Sequence, residues 1–171
     1  MGILNVNHPD IEEFICAKRE KGILNNFNIS VGITDHFMEA LEKNEEWDLI
    51  HPNSNVVVKK VPAGKLWNQI IESAWQTGDP GLIFIDTINR ENPTPSLGKI
   101  ESTNPCGEVP LLSFESCNLG SVNLSKFIIE EKGGRALDWK KLDEVITVAI
   151  RFLDNIIEVN NYIFPEIKRM A

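Results

Sequence analysis

Asn104-Pro105-Cys106-Gly107-Glu108 places an amide, a thiol and a carboxylate within five consecutive residues, with Pro and Gly shaping the backbone into a loop. In an extended or finger-like backbone alternate side chains share a face, so Asn104, Cys106 and Glu108 are expected to point the same way. A thiol acts as a nucleophile or a hydrogen-atom donor, a carboxylate accepts a proton, and an amide both donates and accepts hydrogen bonds to hydroxyls. The three histidines, His8, His36 and His51, all lie far upstream, which gives a Cys-His hydrolase little support. Cys117 follows eleven residues later, in Glu115-Ser116-Cys117-Asn118-Leu119-Gly120. If the intervening segment returns as a hairpin or crossover, both thiols border one pocket. The spacing does not suit a compact zinc knuckle, which needs CxxC pairs or nearby His partners, and no metal site is expected. Cys16, alone in an apolar segment, reads as a small buried hydrophobe.

These groups need a scaffold, and the pattern predicts strand and helix in alternation. Ile3 to Val6 reads as a strand leading to the turn at His8-Pro9. A helix is expected over about 9–21, with Asp10, Glu12 and Glu13 in its first turn and Gly22 at its end. Phe27 to Val31 alternates like a half-buried strand, and Thr34 caps a helix through Leu41. Glu42 to Glu46 reads as a solvated face. Trp47 to Ile50 and Val56 to Val61 suggest a hairpin around 52–55. Leu66, Trp67, Ile70, Ile71, Ala74 and Trp75 predict a helix over about 64–77, stopped by Gly78-Asp79-Pro80-Gly81. A buried strand over 82–85 follows, and then an irregular stretch, 86–114, of the kind that is usually functional when ordered. A turn is expected at 132–135 and a long amphipathic helix over about 139–159. The tryptophans read as core.

The chain of 171 residues, 42% hydrophobic and 25% charged, is an ordinary globular composition, of one-domain or at most two-domain size. A formal charge of −8 and the lack of any longer basic block than Lys59-Lys60 or Lys140-Lys141 argue against direct DNA or RNA binding. No apolar run approaches the ~18 residues of a membrane span. The N-terminus lacks signal-peptide features, and Val6 fails the myristoylation pattern. Three cysteines without a CxxC pair are not a secreted disulfide framework, so a reducing cytoplasmic location is expected.

Ser102-Thr103-Asn104-Pro105-Cys106-Gly107-Glu108, then Pro110-Leu111-Leu112 and Glu115 to Leu124, closely resemble the catalytic chain of ribonucleotide reductase, most nearly the adenosylcobalamin-dependent class II. His8 to Ile15, Asn26 to Val31, Gly78 to Gly81 and Asn92-Pro93-Thr94-Pro95 extend the likeness along nearly the whole chain. The resemblance implies an α/β fold, a single partial domain over 1–171 belonging to a ten-stranded α/β barrel, with a finger loop at about 102–110. It implies a thiyl radical at Cys106 that abstracts the ribose 3′ hydrogen atom. Glu108 is then the base for the 3′-hydroxyl proton, Asn104 hydrogen-bonds the ribose hydroxyls, and residues 104–108 (Asn104, Pro105, Cys106, Gly107, Glu108) contact substrate. Cys117 resembles the second of two redox cysteines, whose disulfide a thioredoxin-type dithiol resets. The cofactor that the resemblance implies is adenosylcobalamin, which would supply the one-electron oxidation that no side chain here provides. The implied substrate is a ribonucleoside di- or triphosphate.

Against the family pattern, the first redox cysteine, the effector region, the phosphate-binding segment and the C-terminal cysteine relay have no counterpart. The chain therefore reads as an internal fragment needing the remaining segments of the barrel, with open sheet edges that the rest would pair, and the isolated chain is expected to be inactive. Two rivals stand beside this reading. One is a class I catalytic fragment served by a separate radical-generating subunit, which the wording around Cys117 disfavours. The other is a non-catalytic association fragment of a split reductase.

Overall fold

The structure is a computed structural model describing residues 1–20, 22–131 and 133–171. The chain divides into two compact units, Met1–Ser113 and Phe114–Ala171.

The first unit is built on three parallel strands, β1 (Gly2–Asn5), β2 (Ile29–Ile33) and β5 (Gly81–Phe84), in the order β1-β2-β5. Between them come α1 (Ile11–Cys16), α2 (Asp35–Glu42), an antiparallel hairpin β3 (Glu46–Ile50) and β4 (Val57–Pro62), and α3 (Ala63–Thr77). The register sorts the sheet into two unlike faces. Leu4, Val31 and Leu82 stand abreast and join the apolar core with Ile11, Ile15, Phe37, Leu49 and Leu66. Ile3, Asn5, Ser30, Gly32, Gly81 and Ile83 form the opposite face, which is small and partly polar. Helices α1, α2 and α3 pack on the first of these faces, and every residue of β2 is buried. The expected half-buried alternation over 27–31 is corrected accordingly: the strand starts two residues later, at Ile29, and is central rather than one-sided.

Thr34 caps α2 as expected, its Oγ1 accepting the Phe37 N–H at 3.2 Å. That delivers Phe37 to the core, edge-on to Trp47 at 5.1 Å. Trp47 in turn donates its indole N–H to the Val6 carbonyl at 3.1 Å, tying the hairpin to the end of β1. Helix α3 matches its predicted span and stops at Gly78, which takes a left-handed conformation.

Three further expectations are corrected. Helix α1 ends at Cys16 rather than near residue 21, which itself lies outside the described residues. The apolar stripe stops there, and the Lys18 and Arg19 side chains are drawn off to Asp79 and Ser73. The irregular stretch is not wholly irregular, because it opens with α4 (Ile85–Arg90) and contains two short paired strands, β6 (Ser102–Thr103) and β7 (Pro110–Leu111). The tryptophans are not uniformly core: Trp47 is buried, but Trp75 is 85% and Trp139 70% exposed.

The second unit holds a 3-10 turn η1 (Leu124–Phe127), a hairpin β8 (Ile128–Glu131) and β9 (Gly134–Leu137), the long helix α5 (Trp139–Val159) and a short α6 (Pro165–Met170) that the sequence reading did not anticipate. The first residue of the turn expected at 132–135 lies outside the described residues. Helix α5 has the predicted span, and Asp138 caps it by accepting the Lys141 N–H at 3.0 Å. Only Leu142 of α5 is buried, while Val148, Ile150 and Phe152 are exposed. Among the described residues no helix is long and apolar enough to cross a membrane.

Candidate active site

The Asn104–Glu108 segment is the tip of the β6–β7 hairpin, in which Ser102 pairs with Leu111 and Thr103 with Pro110. The tip is closed from within. The Asn104 N–H donates to the Val109 carbonyl at 3.2 Å, and Asn104 Oδ1 accepts the Val109 N–H at 2.9 Å. The Gly107 N–H donates to the Asn104 carbonyl at 3.0 Å, closing a turn. Gly107 has φ +80, a region where a side chain costs roughly 1–2 kcal/mol. Because the backbone turns here, the alternation expected of an extended strand does not set the directions of Asn104, Cys106 and Glu108. Asn104 is half-buried with its oxygen turned back into the loop, while Cys106 and Glu108 are exposed.

Two elements outside the hairpin position it. Asn89, on α4, brackets Ile100 from both sides, donating to its carbonyl and accepting its N–H, each at 2.9 Å. Asn28, just before β2, donates Nδ2 to the Pro105 carbonyl at 2.9 Å. The sequence reading missed both residues. Asn28 fell within a predicted strand as an outward polar position, and Asn89 lay in what read as irregular chain.

Pro105, Cys106 and Gly107 border a cavity of about 350 Å³ at the amino ends of β2 and β5, together with Ser30, Asp79 and Ile83. The small face of the sheet is what admits the loop. A Cβ at Gly107 would lie 3.8 Å from Ile83 Cδ1, so the tip rests against β5. Gly81 also has to be small, since a Cβ there would come within 2.8 Å of Ser30 Oγ. Below the cavity Lys18 Nζ pairs with Asp79 Oδ2 at 2.6 Å and donates to the Phe27 carbonyl at 3.0 Å, while Asp79 Oδ1 accepts the Ile29 N–H at 3.3 Å.

Cys117 belongs to the second unit, where it is exposed and lines a cavity of about 260 Å³ with Ser116, Asn118, Ile157 and Tyr162. Asn118 anchors this stretch by donating to the Leu153 carbonyl of α5 at 2.8 Å. All three cysteines are free thiols, and Cys16 is half-buried against the core. Among the described residues no group of three or more His, Cys, Asp or Glu side chains is placed to hold a metal ion.

The model of the ribonucleotide reductase barrel domain matches residues 1–171. The vitamin B12-dependent ribonucleoside-diphosphate reductase of Thermoplasma acidophilum is 51% identical over 172 residues, a match covering 100% of this chain and 22% of that protein. The protein of the same description from Mycobacterium tuberculosis is also 51% identical, with 100% of this chain and 24% of the relative covered. The vitamin B12-dependent ribonucleotide reductase of Streptomyces coelicolor is 34% identical over 178 residues, covering 90% of this chain and 18% of its own length. The chain thus spans about a fifth to a quarter of the length of these relatives. With the model matched from the first residue to the last, the chain belongs to the ribonucleotide reductase barrel-domain family.

Proposed function

We propose that this chain is the radical-bearing portion of a class II ribonucleotide reductase, which converts ribonucleoside di- or triphosphates to 2′-deoxyribonucleotides for DNA synthesis. The observation that carries the reading is Cys106, a free and exposed thiol at the tip of a hairpin that rests on the small face of a parallel sheet. In a ten-stranded α/β barrel that face is the interior, and residues 102–110 are its finger loop. The packing of α1, α2 and α3 against the opposite face supports this placement, and 1–171 is then one partial domain. The isolated chain is inactive in this reading, and its partners are the remaining barrel segments. The outer edges of β1 and β5, unpaired among the described residues, and the exposed apolar residues of α5 support that association.

The chemistry divides among few groups. Adenosylcobalamin, when bound, supplies the one-electron oxidation that no side chain here provides. A free exposed thiol suits a hydrogen-atom donor to such a cofactor, so Cys106 is where the chain's radical resides; no residue of this chain is assigned to hold the corrin ring. Cys106, as a thiyl radical, takes the ribose 3′ hydrogen atom. Glu108 takes the 3′-hydroxyl proton, and the protonated 2′-hydroxyl leaves as water. Asn104 has its oxygen committed to Val109, so it meets the ribose hydroxyls through its Nδ2 donor. Cys117 and a second cysteine outside this chain give up two electrons and two protons, forming a disulfide. Cys106 returns its hydrogen atom to C3′, and a thioredoxin-type dithiol reduces the disulfide.

The test is turnover by the complete reductase containing this chain, purified without cofactor and assayed with ribonucleotide and a dithiol. The expected result is deoxyribonucleotide formation only on addition of adenosylcobalamin. Turnover dependent instead on a separate radical-generating subunit would assign the chain to class I. No turnover under either condition would refute the reductase reading.

A further inference from the structure

The hydrogen bond from Asn28 to the loop lies at an unusual point. The Pro105 carbonyl belongs to the same rigid peptide plane as the Cys106 nitrogen, so a donor fixed on that oxygen sets the plane from which Cys106 departs. The other hydrogen bonds described for residues 104–109 stay within residues 103–109. They shape the tip but do not orient it relative to the sheet. Asn28 is exposed and takes no part in the core, yet its backbone is held on both sides. Lys18 grips the Phe27 carbonyl before it, Asp79 receives the Ile29 N–H after it, and Lys18 and Asp79 are paired with each other. Their side chains are only 12% and 20% exposed, so the clamp is largely shielded from solvent.

We propose that Asn28 is a positioning residue for Cys106: anchored by the Lys18–Asp79 pair, its amide holds the Pro105–Cys106 peptide and so sets the direction of the thiol. The proposal rests on Cys106 being the radical site. A hydrogen atom passes only between closely approaching, aligned partners, so a small misdirection of Sγ slows the chemical step without weakening nucleotide binding. Asn28 touches no reacting atom in this account. Its exposure also means that replacing it leaves the core intact.

The test uses the complete reductase in three forms: unaltered, Asn28→Asp, and Asn28→Gln. Aspartate keeps the shape but loses the donor and sets an oxygen against the carbonyl. Glutamine keeps the donor on a longer arm. Expected for Asn28→Asp is a fall in kcat of about tenfold or more with KM for the ribonucleotide within about twofold, and Asn28→Gln recovers part of the loss. A second readout needs no turnover. In the cofactor-free protein, hydrogen exchange at the Gly107 and Val109 amides should quicken several-fold in Asn28→Asp, while β2 amides stay unchanged. Asn28→Asp with unaltered kcat, or with unaltered loop exchange, overturns the proposal. An unaltered enzyme that makes no deoxyribonucleotide overturns the reductase reading instead, and the exchange data still decide whether Asn28 holds the loop.

Discussion

Asn104 and Val109 are joined twice, backbone N–H to carbonyl at 3.2 Å and backbone N–H to side-chain Oδ1 at 2.9 Å, so one asparagine closes the loop that carries Cys106. In the proposed reading the amide has two separable jobs: its oxygen holds the loop, and its nitrogen is the donor offered to the ribose hydroxyls. Asn104→Ala should lose both, leaving the Val109 N–H unpaired at a cost of about 1 kcal/mol, read as faster exchange of that amide. Asn104→Asp keeps the acceptor and loses the donor. It should retain the exchange protection while losing reductase activity in the complete enzyme. Equal loss of protection in both variants would contradict this division.

Gly107 gives a second test of the same loop. Its φ of +80 leaves space for a methyl group, the nearest atom lying 3.8 Å away, so the expected penalty of Gly107→Ala is conformational rather than steric. It should amount to roughly 1–2 kcal/mol and appear as loss of loop order, with the sheet amides unaffected. Unchanged exchange at residues 104–109 would show that the turn does not need the left-handed conformation.

Much of this scaffold was legible in the sequence because strong local signals agreed with burial. Thr34 placed a cap three residues before Phe37, and the α3 stripe ended on a glycine that the structure shows in a left-handed conformation. The hairpin and α5 followed from equally plain patterns. What escaped depended on contacts distant in sequence. Helix α4 has six residues, too few to show a period, and Asp86 in its first turn accepts the Asp35 N–H at 2.8 Å from 51 residues away in sequence. The stripe of α3 was drawn too wide: Leu66, Ile70 and Ser73 are buried, whereas Ile71 is 50% exposed and Trp75 more so. In the site, the Pro/Gly shaping predicted a loop at 104–108, and the structure has a hairpin tip there. Its turn and its tether to Asn28 were invisible, because an exposed asparagine carries no pattern that names its partner.

Glu12 offers a prediction with pH. Lys59 and Lys65, from β4 and α3, both donate to its carboxylate, and these bonds hold its pKa below the ordinary glutamate value. A depressed carboxylate pKa stabilises the fold above the unfolded-state value, and that contribution fades as pH falls through the folded-state value. Glu12→Gln should therefore destabilise the fold at neutral pH by an amount typical of surface pairs, up to about 1 kcal/mol. The difference from the unaltered protein should shrink on acidification through and below the ordinary glutamate range. Denaturant melts at pH 7 and pH 3 measure it; a difference that grows towards acid would contradict the assignment.

Phe37 is fully buried at the meeting of α2, the hairpin and the core, in edge contact with Trp47. Phe37→Ala should cost about 3–5 kcal/mol, a loss large enough to abolish cooperative unfolding in a domain of ordinary stability. Trp75→Ala, at an exposed position, should change stability by less than about 0.5 kcal/mol in the isolated chain. Comparable losses at both positions would place the core wrongly.

The most direct measurement is deoxyribonucleotide formation by the complete reductase carrying Cys106→Ser, with adenosylcobalamin and a dithiol present. Serine preserves the size and the loop, but its O–H bond is too strong to serve as the hydrogen-atom relay. The account predicts no detectable product, with nucleotide binding and loop exchange unchanged from the unaltered enzyme. Product formed at a substantial fraction of the unaltered rate would contradict it and remove Cys106 from the chemistry.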